Sequence, residues 1–345
     1  MKIMNKRDIK SMLPQELKEY FAFIEQPAYR AEQAYKWLHR DAAGFKDMTN
    51  LPAALRSRLD AEFFIEPPEI SKKLISEIDG TIKYLWRFND GNAVESVVMR
   101  YNHGNTVCVS TQAGCRMGCM FCASAIGGLV RDLTASEIED QVFYSQMDSG
   151  ERISSIVLMG TGEPLDNYNN VLNFLRNIIH PSGLNIGARH ITLSTCGIVP
   201  NIDKLAETDI QLTLSVSLHA PDDETRSQIM PINREYGVEE IFSACSRYFE
   251  KTGRRISFEY ALIDGVNDTP EHAGLLLKRL KRTGSHLNLI LLNDVPERRL
   301  KASSTANLKI FTNLLKREGI NFTIRRKLGA DINAACGQLR RENKV

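Results

Sequence analysis

Cys115, Cys119 and Cys122 stand in "TQAGCRMGCMFCAS", a C-x3-C-x2-C spacing on the loop that follows a strand-like run. Three thiolates this close in sequence can hold one metal centre. Zinc in a structural site prefers four ligands, and no fourth of the usual spacing follows. A cubic iron–sulfur cluster normally takes four cysteines. With three, one iron keeps an open position for an outside ligand, which is how catalytic metal sites differ from structural ones. Gly114 and Gly118 allow the loop to wrap closely around its contents.

Three other groups could do chemistry. Cys336 lies near the tail in "DINAACGQLRR", between small residues and beside Arg340 and Arg341. Alone it reads as a small buried hydrophobe, yet a thiolate is also a nucleophile. Cys108 in "TVCVST" sits on a strand and by itself reads as a packed core cysteine. Glu95 in "NAVESVVMRY" places a carboxylate in an apolar strand, which is costly unless it is paired or exposed. A buried carboxylate there would suit proton transfer. The chain has seven cysteines, an odd number, which argues for metal or redox chemistry over a disulfide scaffold. Cys196 and Cys245 take no role, and Cys245, four residues after Ile241 on a helix, reads as core.

The elements that position these groups fall into three stretches. Up to residue 68 the apolar spacing is helical in "LPQELKEYFAFIEQ" and "AYRAEQAYKWLHR". "MTNLPAALRSRLDAEF" adds a third helix, with Asn50 expected as N-cap and Pro52 near the first turn. From 69 to 111, branched and aromatic runs separated by "DG", "DG" and "HG" predict an antiparallel meander. From 134 onward, strands and helices alternate, with helices expected at 135–147, 168–179, 200–207, 238–251, 271–282 and 304–317. Repeated strand–helix units predict a parallel sheet with right-handed crossovers. Most of the strands end in polar or glycine-bearing text, "MGTGEP", "STCG", "SLHAP" and "LLNDVP", and in a barrel-like α/β fold the site gathers at those ends.

At 43% apolar residues the chain can bury a sizeable core, which excludes wholesale disorder. The opening "MKIMNKRDIKSML" lacks the apolar run of a secretory signal, and no run is long enough to span a bilayer. These features predict a soluble, cytoplasmic protein without a membrane partner. The net charge of +2 is unevenly spread, because residues 278 to 345 hold sixteen Lys/Arg against five Asp/Glu. A basic final fifth on a nearly neutral chain fits a polyanion such as nucleic acid better than it fits a merely solvated face.

The cysteine spacing ahead of an α/β repeat resembles the radical S-adenosylmethionine superfamily. "VLMGTGEPLDNYNNV", "ITLSTCGIVPNI", "SLHAPDDETRSQIMPIN", "EYALIDGVND" and "DINAACGQL" together resemble the RlmN/Cfr family, whose members methylate adenine in RNA. The resemblance includes "PAYRAEQAYKWLHR" and "FKDMTNLPAALR", so it covers nearly the whole chain. "GTGEP" is similar to the RlmN branch, which implies carbon 2 of adenine rather than carbon 8.

The resemblance implies an α/β fold, a partial (β/α)6 TIM-like radical barrel. Residues 1–68 would be a helical, RNA-binding accessory module and 69–100 an antiparallel β extension. The barrel core would span 101–335, and 336–345 would be a basic tail. It also implies one [4Fe-4S] cluster on Cys115, Cys119 and Cys122, with S-adenosylmethionine used twice per turnover. The cosubstrate contacts it implies are Gly162, Glu163, Ser194, Ser217, Leu218, His219 and Asn293. After Asn293 the chain reads "DVPERRL", where relatives often have N-P-V. Cys336 would accept a methyl group and become the S-methylcysteine intermediate, Glu95 would be the proton acceptor, and Cys108 would form a transient disulfide with Cys336. The implied substrates are 23S ribosomal RNA and transfer RNA. The implied electron donor is a flavodoxin or ferredoxin, and the expected state is a monomer. Rival readings are a carbon-8 methyltransferase of the Cfr type, a radical enzyme with another substrate, and a non-catalytic iron–sulfur or zinc RNA-binding protein.

Overall fold

The protein is described from a computed structural model covering residues 6–40, 44–281, 283–293, 295–335 and 337–338. Cys336, Arg340 and Arg341 therefore lie outside the described residues. The chain opens with helices α1 (Pro14–Phe23), α2 (Ala28–Arg40) and α3 (Ala53–Glu62), flanked by the paired two-residue strands β1 (Arg7–Asp8) and β2 (Phe63–Phe64). Pro14 starts α1 where its missing N–H costs nothing, and the Glu16 carboxylate accepts from the Leu13 N–H at 2.7 Å. α2 buries Ala31, Ala34, Tyr35 and Leu38, one face of a 3.6-residue period. These side chains meet Leu17, Phe21, Leu59 and Phe63 in a core of their own. Asn50 is not the N-cap of α3. Pro52 occupies the cap, and the Asn50 side-chain oxygen instead accepts from Trp37 Nε1 at 2.6 Å.

A ten-stranded sheet forms the rest. Strands β3 (Glu69–Ile75), β4 (Ile82–Arg87), β5 (Ala93–Tyr101) and β6 (Gly104–Cys108) make the expected antiparallel meander. β6 also pairs in parallel with β9 (Ile153–Leu158). Strands β10 (Ile191–Thr195), β11 (Thr213–Ser217), β12 (Ser257–Leu262), β13 (His286–Leu291) and β14 (Phe322–Ile324) continue the parallel run to the far edge. The meander is thus the antiparallel flank of the barrel's own sheet. Between β6 and β9, β7 (Gln112–Gly114) and β8 (Leu129–Asp132) pair antiparallel and bracket the cysteine loop.

The crossovers are helices α4 (Ala135–Ser149), α5 (Tyr168–Ile179), α6 (Val199–Ala206), α7 (Asp223–Ile229), α8 (Val238–Thr252), α9 (Pro270–Leu280) and α10 (Thr305–Arg317). Helix α7 was not expected. "DDETRSQI" lacks an apolar stripe, but Asp222 caps it by accepting from the Thr225 N–H at 2.8 Å. The core between sheet and helices includes Phe174, Leu193, Val216, Phe258 and Leu289, all fully buried. The helical module docks on α4 and α5 through buried polar pairs. Lys10 meets Asp140, His39 Nδ1 lies 2.6 Å from Glu139, and Tyr35 donates to the Asn177 side chain at 3.1 Å. Among the described residues no helix is long and apolar enough to cross a membrane.

Candidate active site

The carboxyl ends of the parallel strands open into one cleft with about 940 Å³ of empty space. All three cysteines of the loop line it. So do Gly162, Glu163, Ser194, Ser217, His219 and Asn293, six of the seven residues expected to meet the cosubstrate. Leu218 does not line it. Its side chain is fully buried in the core, its N–H donates to Glu259 O, and its carbonyl accepts from Arg226.

The cysteine loop is pinned on three sides. Cys115 N–H donates to Gly128 O at 3.2 Å, Met120 N–H to Ile229 O at the end of α7 at 2.9 Å, and Ala123 N–H to Gly337 O in the tail at 2.8 Å. Gly114 is obligatory here. Its φ is +86°, and a Cβ would sit 2.0 Å from Gly128 O. Burial pushes the Cys115 thiol up to about 12 and raises the Cys119 thiol as well. Bare thiols in this setting would keep their protons, whereas a cationic metal centre holds thiolates outright. Among the described residues, no three His, Cys, Asp or Glu side chains converge tightly enough for a single ion. Three cysteines lining one cleft match the donor set of a multi-iron centre, in which each thiolate binds its own iron.

Glu163 is fixed by its neighbours. Its N–H donates to Gln112 Oε1 at 2.8 Å, and its two carboxylate oxygens accept from the backbone N–H groups of Leu165 (3.0 Å) and Cys196 (2.7 Å). Burial pushes this carboxyl up, and those hydrogen bonds pull it back. Beside it Gly162 has φ +109°, and a Cβ would lie 2.6 Å from Gln112 Cβ. Backbone and carboxylate are therefore presented together at the end of β9.

His219 is held neutral. Burial lowers its pKa to about 3, and its Nδ1 accepts from the Ala261 N–H at 2.9 Å. The ring therefore carries its proton on Nε2 as a donor. Phe121 of the cysteine loop meets this ring edge-on, with centroids 4.8 Å apart. The residue adopts φ +54°, a left-handed conformation uncommon outside glycine but one in which histidine is among the enriched types.

Residues that sequence reasoning missed hold this cleft together. Gln112 binds Glu163 and also donates to Asp132 and Asp166. Glu259 on the cleft wall accepts from Ser215 Oγ at 2.8 Å and Asn288 Nδ2 at 2.9 Å, with Arg325 3.6 Å away. Arg226 is fully buried and donates to the carbonyls of Cys196, Ser217 and Leu218 and to Asn233 Oδ1. It thereby ties the ends of β10 and β11. Arg226→Met is expected to take this donor from those carbonyls and to cost about 3 kcal/mol in urea unfolding. A loss under about 1 kcal/mol would show that the carbonyls find water instead.

Neither Cys108 nor Glu95 lines the cleft, and Cys108 stands close behind it. Buried Cys108 packs in one apolar cluster with Val97 of β5 and Ala334 of the tail, and Met159 of the cleft wall touches that cluster. The expected partner of Cys108, Cys336, lies outside the described residues. Glu95 is buried, and its Oε1 lies 2.5 Å from Lys83 Nζ. The costly carboxylate is thus paired, one of the two ways such burial is tolerated.

Residues 109–277 match the family model described as the radical SAM superfamily, and residues 8–65 match the ribosomal RNA large subunit methyltransferase N-terminal domain. A Clostridium tetani protein named "Probable dual-specificity RNA methyltransferase RlmN" is 51% identical, covering 95% of this chain and 94% of its own length. A Pelotomaculum thermopropionicum protein of the same name is 54% identical, covering 92% and 87%. The crystal structure of a radical SAM methyltransferase from Sphaerobacter thermophilus superposes with TM-score 0.90 at 42% identity, covering 96% of this chain and 99% of that one. Cleft, cysteine loop and full-length similarity agree: the chain belongs to the RlmN family of radical S-adenosylmethionine enzymes.

Proposed function

We propose that this protein methylates carbon 2 of adenine in RNA, both in 23S ribosomal RNA and in transfer RNA, using Cys336 as the carbon carrier. The observation that carries this reading is the course of the tail. Gly337 lines the cleft and accepts from Ala123, the neighbour of Cys122, while Ala334 packs against Cys108. The chain on either side of position 336 is held at the two places a carrier would have to serve.

Cys115, Cys119 and Cys122 would hold three irons of a [4Fe-4S] cluster, leaving one iron open. Such a centre, with S-adenosylmethionine bound, supplies one-electron cleavage of the sulfonium to a deoxyadenosyl radical. Glu163, with Gly162, suits the ammonium of the cosubstrate, and Ser194, Ser217 and Asn293 offer it hydrogen bonds. His219 donates from Nε2, and Leu218 would act through its backbone, which joins Ser217 to His219.

The carrier chemistry belongs to the chain itself. The Cys336 thiolate displaces the methyl of one cosubstrate, forming a carbon–sulfur bond and releasing S-adenosylhomocysteine. Loss of a hydrogen atom to the deoxyadenosyl radical makes that methyl a carbon radical, which adds to the electron-poor carbon 2. The adduct gives up one electron, which the iron–sulfur centre that would sit on Cys115, Cys119 and Cys122 could take back, and Glu95 takes the carbon-2 proton. The Cys108 thiolate then attacks the Cys336 sulfur. The sulfur–carbon bond breaks, its electron pair stays on carbon, and that carbon takes up a proton to become methyl. An outside reductant reopens the disulfide.

The electron donor in this reading is a flavodoxin or ferredoxin, the protein acts as a monomer, and the helical module engages RNA. Mass spectrometry of RNA nucleosides after anaerobic reaction with reconstituted protein tests the proposal. The expected product is 2-methyladenosine in both RNA classes. A carbon-8 product, or no methyladenosine from protein shown to cleave S-adenosylmethionine, overturns it.

A further inference from the structure

We infer that Lys83 is a positioning residue of the release step: its ammonium keeps Glu95 in the charged, proton-accepting form and ties that carboxylate to the tail. The inference rests on the proposed roles of Glu95 and Cys336. Lys83 stands on β4, between the fully buried ring of Tyr84 and the buried Ile82, where a lysine is costly unless paired. Leu85 lies opposite Glu95 on β5, and Lys83 lies two residues from Leu85, so Lys83 and Glu95 are diagonal neighbours on one sheet face. The Lys83 ammonium makes two contacts. One is to Glu95 Oε1 at 2.5 Å, and the other is to the carbonyl of Asn333 at 3.1 Å, three residues before position 336.

That second contact belongs to a larger clasp. The β3–β4 turn holds the same stretch of tail at further points. Asp331 accepts from Ser76 Oγ at 2.7 Å and from the Glu77 N–H at 2.9 Å, and Gly329 N–H donates to Asp79 at 2.9 Å. A Cβ on Gly329 would lie 2.7 Å from Ala334 Cβ and 3.0 Å from Thr81 Cγ2, so hairpin and tail close on each other directly. The clasp runs from this turn inward to Lys83, and Ala334 then reaches the Cys108 cluster. A pair serving stability alone would need no tail carbonyl. This arrangement links the charge on the proton acceptor to the docking of the carrier. A charge-assisted hydrogen bond favours the ionised carboxylate, and a carboxylate that has taken a proton cannot accept another.

The test uses full-length, anaerobically reconstituted Lys83→Met and Lys83→Arg, with RNA carrying hydrogen or deuterium at adenine carbon 2. Lys83→Met should form the protein–RNA adduct but resolve it about tenfold or more slowly, within the range that a proton-transfer group contributes. Its release should also show a larger deuterium effect, because proton removal becomes limiting. Lys83→Arg should restore both rate and isotope effect. Release at the parental rate, or slow release with an unchanged isotope effect, overturns the inference. If Lys83→Met does not fold, Ser76→Ala should loosen the clasp and speed alkylation of Cys336 by iodoacetamide several-fold; unchanged alkylation overturns it. A parent protein that forms no adduct overturns the proposed mechanism, and this inference with it.

Discussion

Cys336→Ala is expected to abolish RNA methylation, by about 10⁴-fold or more, the scale for removing a covalent nucleophile. Carbon 2 of adenine is too electron-poor to attack a sulfonium methyl, so without the carrier sulfur no second route is open. The iron content should stay at the parental level, because the proposed cradle of Cys115, Cys119 and Cys122 in the cleft is untouched. Anaerobic cleavage of S-adenosylmethionine to deoxyadenosine should survive for the same reason. Iron analysis and chromatography of the nucleoside products check both. Methylation at even a tenth of the parental rate would remove Cys336 from the mechanism.

Cys108→Ala should have the opposite signature. Chemistry up to the adduct needs only the cleft and the tail, so RNA should become bound to protein. Release needs a second sulfur, and Cys108 is the buried thiol packed against Ala334, two residues before position 336. Cys196 and Cys245 are poor substitutes. Cys196 lines the cleft, with burial and the Glu163 carboxylate holding its thiol protonated, and Cys245 points from α8 into the core. The variant should therefore accumulate a crosslinked species on denaturing gels, sensitive to ribonuclease, with turnover falling by about 10²-fold or more. Equal adduct levels in variant and parent would refute this role. The packing cost should be small, because only one buried sulfur is lost, at about 1–2 kcal/mol.

The local parts of this site were legible in sequence because their signals are local. The C-x3-C-x2-C spacing, the polar text closing each strand and the apolar stripe of 168–179 each depend on residues within one element, and α5 spans those same residues. What connects distant segments was not legible. Arg226 sits in the charged stretch "DDETRSQ", and its partners at Cys196 and Ser217 lie far from it in sequence, yet it is completely buried. Glu95 stood out as a charge in an apolar strand, but its counter-ion on β4 became visible only through the register of the meander. Asn50 had the right residue type for a cap and was taken by Trp37 across the module.

The basic excess of residues 278–345 was also more structural than its composition implied. Arg279 pairs with Glu239, Lys281 with Glu318, and Arg325 stands in the cleft beside Glu259. Only part of that charge is left to face phosphates. The same long-range logic explains the docking of the helical module. Lys10 with Asp140, and His39 with Glu139, join residues 130 and 100 positions apart, and no window along the chain pairs them.

The most direct test follows the carbon itself. Protein is reacted anaerobically with RNA and S-adenosylmethionine whose transferable methyl is fully deuterated, and the product nucleoside is weighed. A methyl carried by Cys336 must surrender one deuterium to deoxyadenosine and later gain a proton. The RNA should then bear a methyl with two deuterium atoms and one protium, and the missing deuterium should be found in deoxyadenosine. A product methyl that keeps all three deuterium atoms would mean transfer straight from the cosubstrate, and the account would fail.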